Sequence, residues 1–141
     1  FAKTHRFMKR VFADTSFYQA LFGPRERRHA ECLELLDAMD LRVITAEYIL
    51  VELGALLSRG HERTVYVNFI MDLRIDSSTE IIPASPALFE KGFDLFSRRL
   101  DKDWSITDCI SFVVMNQLEL YDALTLDAHF SQTGYNLLLP Q

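Results

Sequence analysis

The strongest constraint on this chain is a repeated order: a short apolar run, a polar or acidic residue at its end, then a segment with helical periodicity. Residues 9–13, KRVFA, end at Asp14, and Thr15 and Ser16 behind it are suitable helix caps. Residues 29–39 place Cys32, Leu35, Leu36 and Met39 at three-and-four spacing, which predicts a helix, and a strand over 41–44 follows. Thr45 is placed to cap a helix carrying Ile49, Leu50, Leu53, Leu56 and Leu57 on one face, with Gly60 as its stop. The same reading gives a helix over 62–73, a strand over 80–82 closed by Pro83, and a helix from Pro86 to about residue 98. Ser105 opens another helix with Ile106, Cys109, Ile110, Val113 and Leu118 inward, and 123–126 and 135–139 supply two last strands. A parallel connection needs a crossover of about a dozen residues, normally a helix. The expected fold is therefore α/β, a three-layer α/β/α domain with a central parallel sheet.

A chain of 141 residues without a linker, repeat or low-complexity tract fits one domain, here expected over 8–141. Fifteen basic against 20 acidic side chains give a net charge of −5, which argues against holding nucleic acid by bulk phosphate neutralisation. Any polyanionic ligand then needs a local device. Cys32 and Cys109 stand alone and far apart, so neither a disulfide scaffold nor a Cys-ligated zinc site is expected, and a reducing, cytoplasmic setting fits. No apolar run approaches the ~20 residues that span a bilayer, so no membrane partner is expected. Residues 1–7, FAKTHRF, lack the apolar stretch of a signal peptide. With Met8 as a natural start, they read as a cloning remnant or an N-terminal extension.

In open parallel sheets ligands bind outside the carboxyl ends of the strands, which singles out Asp14 after "RVFAD" and Asp127 after "ALTLD". Either could simply cap the following helix. Glu52 lies at the edge of an apolar stripe, where a carboxylate either reaches water at the rim or is held by metal or hydrogen bonds. Asp108 completes the capping box Ser105-Ile106-Thr107-Asp108, a sufficient structural reason for it. An acid in that first turn could also point to the sheet's carboxyl edge. His29, His61 and His129 have no metal-ligand spacing and read as structural, His129 packing near the last strands; Trp104 reads as a packing residue. Arg25, Arg27 and Arg28, or Arg59 and Arg63, are candidates for phosphate contact but equally for solvated surface.

Taken together, "VFADTSFYQALF", the mid-chain Glu52, "DWSITDCISF" and "ALTLDAHFSQTGYNLL" resemble a PIN domain, especially the VapC-like toxin branch, over nearly everything after Met8. The resemblance implies an endoribonuclease with a shared acidic pocket for Mg²⁺ or Mn²⁺, in which Asp14, Glu52, Asp108 and Asp127 fall on the acidic motif positions. Thr15 or Ser16 matches the hydroxyl after the first acid, and Asp103 is a secondary candidate that either enlarges the pocket or sits on a loop. The partners implied are an RNA substrate, an antitoxin protein and a second copy of the chain. Hard divalent ions prefer oxygen ligands, so the residue types suit that chemistry. Two other classes stay open: a catalytically silent interaction module with this fold, and a receiver-like phosphoacceptor domain, which also gathers acids around Mg²⁺ but normally has an acidic pair near its first strand.

Overall fold

The computed structural model describes residues 8–140, so the expectation for 1–7 lies outside the described residues. Five strands, β1 (Lys9–Ala13), β2 (Leu41–Ala46), β3 (Thr79–Ile82), β4 (Asp122–Leu124) and β5 (Asn136–Leu137), form one sheet in the order β3-β2-β1-β4-β5. Every adjacent pair is parallel, with Phe12 of β1 beside Ile44 of β2 and Ala123 of β4. Central parallel strands are buried on both faces and so carry unbroken apolar runs, as Val11, Phe12 and Ala13 do here, fully buried. Helices α1 (Thr15–Phe22), α2 (His29–Ala38), α3 (Glu47–Leu56), α4 (Gly60–Ile75), α5 (Pro86–Arg98) and α6 (Ile106–Gln117) fill the crossovers, and a 3₁₀ helix, Ala128–Thr133, joins β4 to β5.

The chain steps one way across the sheet from β1 to β3 and the other way from β4 to β5. Right-handed crossovers therefore put α1–α4 on one face and α5, α6 and the 3₁₀ helix on the other, giving three layers. The reversal makes the gap between the carboxyl ends of β1 and β4 a switch point, where flanking loops diverge and leave a crevice. This strand order also removes the receiver-like alternative. In that fold β1 lies between β2 and β3, whereas here it lies between β2 and β4.

Several boundaries differ from the sequence expectation. Thr45 does not cap α3: β2 runs on to Ala46, and the Thr45 hydroxyl donates to the Ala13 carbonyl across the sheet at 2.9 Å. The α3 N-terminus has no side-chain cap, and Glu47 in its first turn accepts from the Ala84 N–H instead. Gly60 does not end that helix; α3 stops at Leu56, and Gly60, with φ +54°, is the first residue of α4. The left-handed conformation turns the chain sharply between two helices, which glycine does without steric penalty. The last two strands are shorter than expected: beyond Leu124 the Thr125 hydroxyl bonds Asp14 and the Leu126 N–H bonds Ser16, and a 3₁₀ helix then leads to β5.

One glycine is needed for its size. Gly92 on α5 faces α6, where a β-carbon would stand 2.3 Å from Ile110 Cγ1 and 3.2 Å from Ile110 Cα. Gly92→Ala is expected to lower stability by about 1–3 kcal/mol through overpacking, measured by urea unfolding. An unchanged midpoint would mean that α5 can slide on α6 at no penalty.

Candidate active site

Asp14 leaves β1 in extended conformation and caps α1, its Oδ1 accepting from the Phe17 N–H at 3.1 Å. The same oxygen accepts from the Ser16 hydroxyl at 2.8 Å, while Oδ2 accepts from the Thr125 hydroxyl at 2.7 Å. Thr125 Oγ1 in turn accepts from the Asp127 N–H, and Ser16 Oγ accepts from the Leu126 N–H, both at 2.9 Å. These bonds stitch the end of β1 to the loop after β4 across the switch point. Asp14 is only 4% exposed, and burial pushes its carboxyl up to about 7 from the ordinary 3.8. Hydrogen bonds from Thr125, Phe17 and Ser16 limit that rise, and the nearby Asp127 charge adds to it.

The capping box is formed as the sequence indicates: Asp108 N–H donates to Ser105 Oγ, and Ser105 N–H to Asp108 Oδ2, each at 3.0 Å. The cap does not exhaust Asp108. Its side chain also lines a cleft of about 160 Å³ together with Asp14, Thr15, Ser16, Gln19, Glu52 and Asp127. Burial raises the Asp108 carboxyl above the usual range, the Ser105 N–H pulls it back, Asp127 raises it further and His129 lowers it. Asp127 caps the 3₁₀ helix through the His129 N–H at 2.9 Å. Glu52 reaches the same cleft from α3, half-buried, so its place at the edge of the apolar stripe is a rim facing the other acids.

The four acids thus come from four separate segments to one hollow. Asp103 does not join them; it is exposed and lines a separate depression with Phe96, Arg99, Lys102 and Trp104. Arg25, Arg27, Arg28, Arg59 and Arg63 also lie outside the cleft lining, and Arg28 is paired with Glu31 at 2.8 Å. Trp104 is buried, as expected, edge-on to Phe112, with its Nε1–H donating to Gln132. Three participants escaped the sequence reading. Gln19 follows Thr15 by one helical turn, which is a usable signal. Thr125 is read within an apolar strand and shows its role only when paired against Asp14. His129, expected to pack near the last strands, instead places Nδ1 at 3.2 Å from both Asp108 Oδ2 and Asp127 Oδ1.

The donor set suits a hard divalent cation. Carboxylate oxygens from four residues surround one small cleft, and ligand atoms of Asp108, Asp127 and His129 lie within 4.8 Å of one another. Thr15, only 7% exposed, lines this cleft, and its buried Oγ1 has no hydrogen-bond partner among the described residues. A buried hydroxyl left this way is expensive unless an ion or water meets it.

Residues 11–135 match the family model described as PIN domain. This chain belongs to the PIN domain family. The PIN assignment covers all four acids. By sequence the chain is 28% identical over 133 residues to the 23S rRNA-specific endonuclease VapC20 of Mycobacterium tuberculosis, an alignment covering 93% of this chain and 99% of that protein. The crystal structure of Mycobacterium tuberculosis VapC20, a Sarcin-Ricin loop cleaving toxin, superposes with a TM-score of 0.82 at 25% identity, covering 92% of this chain and 99% of that one. FitAcB from Neisseria gonorrhoeae shares the PIN fold at a TM-score of 0.64 and 19% identity, covering 92% and 97% of the two chains. Among the described residues no helix is long and apolar enough to cross a membrane.

Proposed function

We propose that this chain is a metal-dependent endoribonuclease that hydrolyses RNA phosphodiester bonds as the toxin half of a toxin–antitoxin pair, acting in the cytoplasm. The observation that carries the reading is the convergence of Asp14, Glu52, Asp108 and Asp127 on one cleft at the sheet's switch point. Likeness to VapC20 along nearly its whole length supports an RNA substrate, and makes ribosomal RNA the first to try. An antitoxin covering the cleft and a second copy of the chain are the protein partners that go with this reading.

Asp14, Asp108 and Asp127, with Glu52 at the rim, would hold Mg²⁺ or Mn²⁺, and Asp103 has no part. When bound, the cation would polarise the scissile phosphate and offset the carboxylates' charge, which otherwise repels RNA. The remaining work belongs to the protein. Ser16, Thr125 and the Phe17 N–H orient Asp14, so its oxygens are aimed before any ligand arrives. Thr15 lines the cleft, and its hydroxyl, buried without a partner among the described residues, would gain one from an ion or water bound there. A net charge of −5 then steers nothing toward the protein from afar, so binding depends on the loaded cleft.

The test is cleavage of ribosomal RNA with Mn²⁺, with Mg²⁺ and in EDTA. Cutting should need a divalent ion, and Asp103→Asn should cut at the parent's rate. Equal cutting in EDTA would reject the assignment.

A further inference from the structure

Asp108 and Asp127 arrive from different elements, the first turn of α6 and the loop after β4, and two like charges tend to splay apart. His129 stands against both. Its Nδ1 lies 3.2 Å from Asp108 Oδ2 and 3.2 Å from Asp127 Oδ1. These are the two oxygens that the backbone already holds: Ser105 N–H donates to Asp108 Oδ2 and His129 N–H to Asp127 Oδ1. No hydrogen bond among the described residues falls on Asp108 Oδ1 or Asp127 Oδ2. Each carboxylate therefore has one oxygen gripped by protein and the other open.

The imidazole itself is not among the residues lining the cleft, and its side chain is 31% exposed. It stands beside the carboxylates rather than between them and the hollow. Its backbone is anchored by the next residue, Phe130, fully buried against Phe112 at 4.9 Å and Phe12 at 6.5 Å between ring centres. The ring is thus carried on a fixed post.

We infer that His129 is a positioning residue, its Nδ1–H bonded to Asp108 Oδ2 with Asp127 Oδ1 held at the same distance beside it, so that their other oxygens converge on the cation. The inference rests on the proposed reading of the cleft as a cation-dependent site. Outer partners of this kind hold ligand carboxylates in orientation and tune affinity without touching the metal. A tautomer with the proton on Nδ1 is sufficient, so the role needs no net charge on the ring.

The experiment is a calorimetric titration of Mn²⁺, without RNA, into the parent chain and into His129→Ala, His129→Gln and His129→Asn. Asparagine places its amide N–H near the position of Nδ1, whereas glutamine reaches further, toward Nε2. Alanine and glutamine should each weaken Mn²⁺ binding at least about 10-fold, and asparagine should recover most of it. RNA cutting by the alanine variant should return at saturating Mn²⁺ with the KM for RNA unchanged. Pulsed EPR on the Mn²⁺-loaded parent should show no directly bound ¹⁴N. Equal Mn²⁺ affinity in all four proteins overturns the inference, and so does a ¹⁴N coupling that disappears in His129→Ala, which would make the ring a ligand. Should the alanine variant not fold, the contrast between asparagine and glutamine decides. A parent that binds Mn²⁺ but cuts no RNA ends the nuclease reading alone, and the affinities still judge His129; a parent that binds no Mn²⁺ ends both.

Discussion

Asp14→Asn should abolish RNA cutting, by at least about 10³-fold, equivalent to roughly 4 kcal/mol of lost transition-state stabilisation, while the protein stays folded. The separation of activity from folding follows from what each Asp14 oxygen does. Oδ1 caps α1 through the Phe17 N–H, and asparagine caps a helix as well as aspartate. What the amide cannot supply is a negative oxygen at the wall of the cleft, where a hard cation would bind. Single-turnover cleavage with saturating Mn²⁺, beside circular dichroism of the same samples, measures both halves. Residual cutting within tenfold of the parent would mean that Asp14 is a helix cap and no more.

The second large effect concerns stability in the absence of metal. Asp14 titrates near pH 7 in the fold and near its ordinary 3.8 when unfolded, because burial disfavours its charged form. Between those values the folded state holds a proton that the unfolded chain has lost, so stability falls as pH rises through this window. Below 3.8 both states are protonated and the effect vanishes; well above 7 it is fully felt. The whole difference is about 4 kcal/mol as an upper bound, from 1.36 kcal/mol for each pH unit. Asp108, also raised mainly by burial, acts in the same direction. Metal-free protein should accordingly melt lower at pH 8 than at pH 5, and Asp14→Asn should flatten most of that slope. Mn²⁺ should reverse the order, since a ligand bound to the ionised acids stabilises only the folded state and binds better as they lose their protons. Thermal unfolding at both pH values, in EDTA and in Mn²⁺, provides the check; a parent more stable at pH 8 without metal would contradict the buried, repelled state of these acids.

Asp14 and Asp127 were legible because a buried parallel strand must be apolar and an acid behind it breaks the run, although β4 itself ends at Leu124 and Asp127 stands in the loop beyond. Asp108 was legible as a cap in a first turn that could also point to the sheet's carboxyl edge, and it does complete the capping box while lining the cleft, since the first turn of α6 lies at the edge where β1 and β4 end. Thr45 misled for a related reason. A threonine between a strand and a helix fits a cap or a strand end equally well, and its hydrogen bond across the sheet to Ala13 decided for the strand. Gly60 misled because glycine serves a helix end and a helix start alike when the turn between them needs a positive φ.

Local pattern by itself determined the alternation of strands and helices, the parallel sheet and the acids at the strand ends, because periodicity and chain reversal act over neighbouring residues. The strand order, the meeting of Glu52 with the other three acids, the exclusion of Asp103 and the parts played by Thr125 and His129 were decided only in three dimensions. Each of these depends on which segments pack side by side across the switch point, and a hydrogen bond between residues 111 apart, such as Thr125 to Asp14, leaves no trace in the spacing of either neighbourhood.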